Sequence, residues 1–176
     1  MTEAPFAVKF IKTEDIDFEV ATCGTGDQLA LLLHGFPESN YSWRYQLPFL
    51  AKLGYRVWAP NLRGYGNTSR PKGVRNYTIE KLMDDVAALI DASGAKSVTL
   101  MGHDWGALIA WTFAARKIRP LERLVIMNVP HPAVAETKIF SWPQIAHSWY
   151  VFFFQIPRLP ELGLVARGAR MVRKAF

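Results

Sequence analysis

A carboxylate stands between two glycines near the middle of the chain, in the sequence Gly102-His103-Asp104-Trp105-Gly106. An aspartate with a pKa near ~4 is already an anion at neutral pH and needs no base before it attacks carbon. It suits displacement at a saturated carbon, which gives an alkyl ester. The glycines fit a sharp turn in which a strand and a helix approach too closely for a Cβ. Asp104 is therefore a candidate nucleophile, although an aspartate in this place can also simply cap the following helix.

A second motif, His34-Gly35-Phe36-Pro37-Glu38, lies about seventy residues earlier and follows a run of leucines. If the two motifs meet, the backbone N–H groups of Phe36 and Trp105 can converge on one oxygen and stabilise negative charge there. An ordinary turn built of glycine and proline is the alternative.

The elements that must position these motifs alternate between strand and helix patterns. Four short apolar runs mostly lack in-and-out alternation, as expected of parallel strands covered on both faces. They are Leu29–Leu33, Tyr55–Ala59, Ser97–Met101 and Arg123–Met127. Two earlier segments, Ala7–Lys12 and Ile16–Cys23, predict a pair of strands with Glu14-Asp15 at the turn.

Two helices are predicted between the strands. One begins after Thr78 as its N-cap, carries Glu80 in its first turn and stops at Gly94. The other, Trp105–Arg116, is apolar nearly all round and should be buried directly after the strand that ends at Met101. This alternation predicts an α/β protein with a mostly parallel sheet flanked by helices. After Val129, prolines and aromatic residues punctuate the sequence and indicate a new structural layer.

The two motifs together closely resemble those of the α/β-hydrolase family and, within it, of the epoxide hydrolases. Other segments that resemble the family are Tyr41–Gln46, Arg63–Gly66, Asn128–Pro132 and Ser148–Gln155. The resemblance implies an α/β-hydrolase fold in which residues 1–130 form the N-terminal part of the core. Residues 131–176 would be the beginning of a helical cap, and the C-terminal strands of the family would be missing.

The resemblance also implies a reaction, in which an aspartate opens an epoxide and water hydrolyses the resulting ester to a vicinal diol. Asp104 would be the nucleophile, the N–H groups of Phe36 and Trp105 the oxyanion hole, and Tyr150 the hydrogen-bond donor to the epoxide oxygen. For Tyr150, an aromatic residue in a hydrophobic cap layer is the alternative. The bond Phe36–Pro37 matches the family's cis peptide. The residues expected to contact substrate are His34, Pro37, Trp105 and Phe154.

The chain departs from the family in two respects. The family's base histidine, its acidic partner and a second cap tyrosine come after the cap, and none of His34, His103, His131 and His147 matches that base. We expect His34 to order the oxyanion loop, and the 176-residue chain to alkylate itself once and then stall. Asn61 stands where related sequences often have the aspartate of Asp-x-Arg-Gly, and the sequence alone does not explain it.

Two other functions stay open. Haloalkane dehalogenases use the same aspartate chemistry, but their oxyanion loop resembles His-Gly-Asn-Pro. Phe36, which stands in place of that asparagine, disfavours this function. Fluoroacetate dehalogenases share the phenylalanine but carry arginine after the nucleophile, where this chain has Trp105. The second function is non-catalytic: a folded remnant that binds apolar ligands or a partner.

Composition excludes several other classes. Of the net charge of +6, +4 lies from Arg158 onward, which leaves no sustained basic stripe for nucleic acid. Cys23 is the only cysteine, so an intrachain disulfide and a thiolate metal cluster are both ruled out. The histidine spacing makes no zinc set, and we expect neither a metal nor a cofactor.

The expected surroundings of the protein follow from the same sequence. No apolar run approaches the ~20 residues that span a membrane, so a cytoplasmic protein is expected. Its expected partners are a small apolar epoxide and water. The strand near Met127 would leave an apolar edge, which a homodimer or a complementing C-terminal segment could cover.

Overall fold

In the computed structural model, which describes residues 6–131, Ile156 and Pro160, one six-stranded sheet organises the described part of the chain. Its strands are β1 (Ala7–Lys12), β2 (Asp17–Cys23), β3 (Gln28–Leu33), β4 (Arg56–Pro60), β5 (Ser97–His103) and β6 (Arg123–Met127). Their order is β1-β2-β4-β3-β5-β6. β1 pairs antiparallel with β2 and β2 with β4, whereas β3, β4, β5 and β6 run parallel. The predicted strands and the mostly parallel sheet are confirmed.

Strand β3 shows why the predicted strands lack alternation. Its five residues from Leu29 to Leu33 are all completely buried. The three leucines at odd positions belong to one core cluster, and Ala30 and Leu32 belong to a second cluster on the other face of the sheet. Because apolar layers cover both faces, every position of the strand after Gln28 is apolar.

Helices supply these two layers. The described helices are α1 (Gln46–Lys52), α2 (Ile79–Ser93) and α3 (Trp105–Ala115). α2 and α3 pack into the first cluster, where Phe113 is completely buried, and α1 packs into the second through Leu47. α2 has Thr78 as its N-cap and ends at Gly94, whose φ of 59° suits glycine, as predicted. Helix α1 is not among the predicted elements.

The strand order brings three loops together. β3 lies between β4 and β5, so the chain leaves β3 for one neighbour and later returns along the other side. In open parallel sheets the carboxyl ends of strands on either side of such a reversal form the usual place for a ligand. The loops after β3, β4 and β5 all lie at this edge.

The chain divides into two compact units, Met1–Val129 and Pro130–Phe176. The second unit lies almost entirely outside the described residues, so the predicted cap domain stays a prediction. Within the described part of the chain, no helix has the length and apolar character needed to cross a membrane.

Candidate active site

Asp104 is the single residue between β5, which ends at His103, and α3, which begins at Trp105. Its backbone has φ 52° and ψ −120°, a strained conformation for a residue with a side chain. The side chain makes no cap hydrogen bond to α3. Instead, Oδ1 accepts a hydrogen bond of 2.9 Å from the backbone N–H of Phe36. The helix-capping alternative for Asp104 is therefore wrong, because its carboxylate faces the loop after β3.

Three glycines allow this approach. A Cβ on Gly35 would overlap Cβ and Oδ1 of Asp104. A Cβ on Gly102 would overlap the backbone of Gly106, and one on Gly106 would overlap the carbonyl of Leu33. The predicted close approach of strand and helix is thus confirmed, and Gly35 is required for the same reason on the opposite side of the carboxylate.

The loop after β3, residues 34–40, presents its backbone to the carboxylate. The Phe36–Pro37 peptide is cis, as predicted. The N–H of Glu38 donates to the carbonyl of Gly35 at 3.1 Å, which closes a turn around this peptide. The side chains of Phe36 and Trp105 are 36% and 50% exposed, and Pro37 is half-buried. Two large apolar groups therefore lie at the surface beside the carboxylate.

His34 supports this loop from beneath. Its ring is completely buried, Nδ1 lies 2.8 Å from the Gly35 carbonyl, and Nε2 accepts a 3.0 Å hydrogen bond from the N–H of Leu62. Nδ1 must then carry the proton, which makes the ring neutral. Burial lowers the pKa of His34 despite the Gly35 carbonyl and the charge of Glu38, which act in the opposite direction. His34 therefore orders the loop, and its buried ring does not offer the predicted substrate contact.

His103 connects the same loop to the end of β6. Its Nδ1 lies 3.2 Å from Oε2 of Glu38, and its Nε2 lies 2.8 Å from Nδ2 of Asn128. An amide that donates to Nε2 leaves the proton on Nδ1, where it can be donated to the carboxylate. His103 thus holds the turn at Glu38 and the residue that follows β6.

These features describe a strand, a one-residue turn that carries a carboxylate, a buried helix and a second loop whose N–H group binds that carboxylate. A family model described as "alpha/beta hydrolase fold" matches residues 30–172. The chain belongs to the α/β-hydrolase family. It spans about half the length of the curated relatives that it matches.

Among these α/β-hydrolases, epoxide hydrolase 3 of Xenopus tropicalis is 41% identical over 169 residues, which are 94% of this chain and 46% of that protein. AB hydrolase superfamily protein YfhM of Bacillus subtilis (strain 168) is 40% identical over 89% of this chain and 55% of its own length. The crystal structure of epoxide hydrolase A from Mycobacterium thermoresistibile superposes with a TM-score of 0.82 at 33% identity, covering 97% of this chain and 55% of that one.

Two residues of this α/β-hydrolase that sequence reasoning missed lie in the loop after β4. Arg63 is buried and binds Asp85 of α2 through two hydrogen bonds, of 2.8 and 2.6 Å. These bonds raise the pKa of Arg63 against the effect of burial. The Tyr65 ring meets His34 edge to face, with 4.8 Å between ring centroids. Burial, together with the charge of Asp104, raises the pKa of Tyr65 to about 12.

The only signal for these two residues was the segment Arg63-Gly64-Tyr65-Gly66, which resembles the family but does not reveal their contacts. Two predicted site residues, Tyr150 and Phe154, lie outside the described residues. Within the described part, the structure brings together Asp104, Phe36, Pro37 and Trp105, and it puts His34 behind them.

Proposed function

We propose that this chain carries the nucleophilic part of an epoxide hydrolase. The observation that best supports this is the hydrogen bond from the Phe36 N–H to Oδ1 of Asp104. This bond fixes one carboxylate oxygen and leaves Oδ2 without a hydrogen bond to any described residue. The similarity to epoxide hydrolase 3 of Xenopus tropicalis adds support for an epoxide as the electrophile.

In the first step, Oδ2 of Asp104 attacks a carbon of the epoxide ring. A new C–O bond forms, the ring C–O bond breaks, and its electron pair goes to the epoxide oxygen. Tyr150, as proposed from the family resemblance, donates a hydrogen bond to this oxygen and helps it take up a proton. The product is a hydroxyalkyl ester of Asp104.

In the second step, water adds to Cγ of the ester, and negative charge develops on Oδ1. The N–H groups of Phe36 and Trp105 stabilise this charge, and the diol leaves as the carboxylate re-forms. Removal of one such donor typically slows a reaction by about 10²–10³-fold. The apolar side chains of Phe36 and Trp105 favour an apolar substrate.

The second step also needs a base, which neither histidine beside the carboxylate offers. His34 is buried with both ring nitrogens engaged, and His103 is held between Glu38 and Asn128. We therefore propose that the ester accumulates on this chain, since neither described histidine beside Asp104 can activate the water.

Intact-mass spectrometry after incubation with styrene oxide tests the proposal. The chain should gain the mass of one epoxide, and peptide mapping should place it on Asp104. D104A should gain nothing. D84N, which changes an exposed aspartate on α2, is the matched control and should react like the wild type.

Labelling that persists in D104A, or that falls only on other residues, would show that Asp104 is not the nucleophile. Release of halide from a chloroalkane without any reaction of the epoxide would favour the haloalkane dehalogenase alternative. Steady formation of diol by the pure chain would contradict the expected accumulation of the ester.

A further inference from the structure

Asn61 lies directly after β4 and is the departure from the family that the sequence left unexplained. It connects three other segments of the chain. Its side-chain Nδ2 donates to Oε2 of Glu19 on β2 at 2.5 Å, and its Oδ1 accepts the backbone N–H of Asn40 at 2.7 Å. Its own N–H donates to the carbonyl of Glu19 at 2.8 Å, and its carbonyl accepts from the hydroxyl of Thr68 at 2.8 Å. Asn61 is 3% exposed, and its partners Glu19 and Asn40 are half-buried.

We infer that Asn61 is a positioning residue for the oxyanion loop, and that its uncharged amide is required because Glu19 already supplies the negative charge at this point. Asn40 lies four residues after Phe36, at the start of the 3₁₀ turn Asn40–Trp43. The bond from Asn40 to Asn61 therefore fixes the far end of the loop that presents the Phe36 N–H. This inference rests on the proposed role of that N–H group.

The hydrogen-bond roles of the two side chains explain why the residue is an amide. The Glu19 carboxylate accepts from Nδ2 of Asn61 and also from the backbone N–H and the Nδ2 of Asn67, at 2.9 and 2.8 Å. Every donor in this set is neutral. An aspartate at position 61 can still accept from Asn40, but it would turn a second carboxylate oxygen toward Glu19. Two ionised carboxylates in contact repel each other strongly when they are partly buried.

The backbone of Gly66 closes over this pair. A Cβ on Gly66 would overlap Nδ2 of Asn61 and would lie 2.5 Å from Oε2 of Glu19. The two side chains therefore have little room to move apart if both are charged. The other charged groups nearby are Asp17, two positions along β2, and Arg70, whose guanidinium donates to the Gly66 carbonyl. Across the sheet, Glu19 faces the uncharged Phe10 of β1.

The hydrogen bonds to Glu19 also determine how a fall in pH changes the contribution of Glu19 to the stability of the fold. Burial alone would raise the pKa of Glu19, but the bonds from Asn67 and Asn61 outweigh it and hold the pKa below its ordinary value. In the wild type, the stabilisation by Glu19 is complete above its ordinary pKa and is lost as the pH falls through the lowered value. In N61D, the paired acids hold a proton more tightly in the folded state than in the unfolded state. The free energy of unfolding of N61D relative to wild type should therefore rise as the pH falls.

The experiment compares wild type, N61D, E19Q and the double variant E19Q/N61D in the 176-residue chain. The first readout is hydrogen exchange of the Phe36 amide, relative to a β5 amide in the same sample. N61D should lower the protection of Phe36 by about tenfold or more at neutral pH. The double variant should recover most of it, because the glutamine amide at position 19 can donate to the new carboxylate at position 61.

The second readout is the rate of Asp104 alkylation as a ratio to wild type. A displacement of about 1 Å can lower a reaction rate on the order of 10²-fold. The alkylation rate of N61D should therefore be about 10–100-fold below that of wild type near neutral pH. The ratio should rise toward one as the pH is lowered to about 5. The double variant should stay within about threefold of wild type at each pH.

Three results would overturn the inference: unchanged Phe36 protection in N61D, a loss in N61D that does not depend on pH, or no recovery in the double variant. If N61D does not fold, the comparison of E19Q with E19Q/N61D still decides, since the inference requires both to protect Phe36. If the wild type does not react with epoxide, the proposed function fails. The exchange readout then still tests the positioning role.

Discussion

Two neighbouring loops at the carboxyl edge of the sheet are built in opposite ways. The loop after β3, residues 34–40, keeps the Phe36 side chain partly exposed and turns its N–H toward Asp104. The loop after β4, residues 61–68, buries three successive residues that each bind a different part of the protein: Asn61, Leu62 and Arg63. One loop presents a backbone N–H for chemistry, and the other uses two side chains and the Leu62 N–H to hold the structure around it.

This contrast predicts that reactivity and stability separate between the two loops. A substitution that breaks the contact of Arg63 with Asp85, which does not touch the β3 loop, should lower the free energy of unfolding and leave the reactivity of folded molecules unchanged. A substitution in the β3 loop next to Asp104 should do the reverse. His34 and Asn61 each connect the two loops, so substitutions of either residue should affect both reactivity and stability.

The largest effect is expected for D85A, which leaves the Arg63 guanidinium buried without its carboxylate. The two side chains are 2% and 9% exposed. Breaking a buried pair from one side typically costs about 3–5 kcal/mol, and urea unfolding should show a loss of this size. The double variant R63M/D85L should recover most of it. D27A, which breaks the exposed pair of Asp27 and Lys96, is the control and should leave the unfolding midpoint unchanged.

A loss below about 1 kcal/mol in D85A would mean that the Arg63 charge finds another partner, and the contrast between the loops would weaken.

The next effect concerns G35A, which should lower reactivity far more than stability. The added Cβ would overlap the Asp104 side chain and push it away from the Phe36 N–H. Loss of that alignment should slow alkylation by epoxide by about 10²-fold, as followed by intact mass against time. The control is the pair D104G and G35A/D104G, because only glycine removes the Cβ of residue 104 that the new Cβ would overlap. With no side chain at 104, the two should unfold at the same urea concentration, and a large difference would place the strain elsewhere.

The smallest of the three effects is expected for H34L, which removes the acceptor for the Leu62 N–H. An unsatisfied buried N–H costs about 1–3 kcal/mol, which should appear in unfolding near neutral pH. Because the pKa of His34 is lowered in the folded state, its contribution is complete above about 6.5 and is lost as the pH falls through the lowered value. The difference between wild type and H34L should therefore shrink in acid.

H34Q is the matched control for this prediction, since glutamine keeps an acceptor and does not titrate. A difference between wild type and H34L that stays constant from about pH 7.5 to pH 5 would mean that the folded protein accepts the proton on His34.

The sequence predicts elements whose signal is local. The strands, α2 and α3 were found because burial on both faces, a cap or an unbroken apolar run marks each one. α1 was not found, since it has seven residues, contains Pro48 and starts at Tyr45 without a side-chain cap. Its apolar residues Leu47, Leu50 and Ala51 do fall at helical spacing, but the pattern covers fewer than two turns and is too short to indicate a helix.

The same distinction applies to the site. Asp104 and Phe36 are 68 residues apart, yet the sequence brings them together because each directly follows a parallel strand. The bonds from Arg63 to Asp85 and from Asn61 to Glu19 span 22 and 42 residues and follow no such rule. Many acidic residues in the sequence could bind Arg63 or Asn61. Only the three-dimensional structure shows that Asp85 and Glu19 do so.

The hydrogen bond from Phe36 makes the two carboxylate oxygens of Asp104 chemically inequivalent. In water a carboxylate interchanges them by turning about a single bond, whereas here Oδ1 is held by the amide and its side is filled by Gly35. Under the proposed reaction, the oxygen given to the diol is Oδ2. Hydrolysis of the ester would replace Oδ2 with an oxygen from water, so once a base completes this step, heavy-oxygen label would enter the protein at that position and would not scramble into Oδ1.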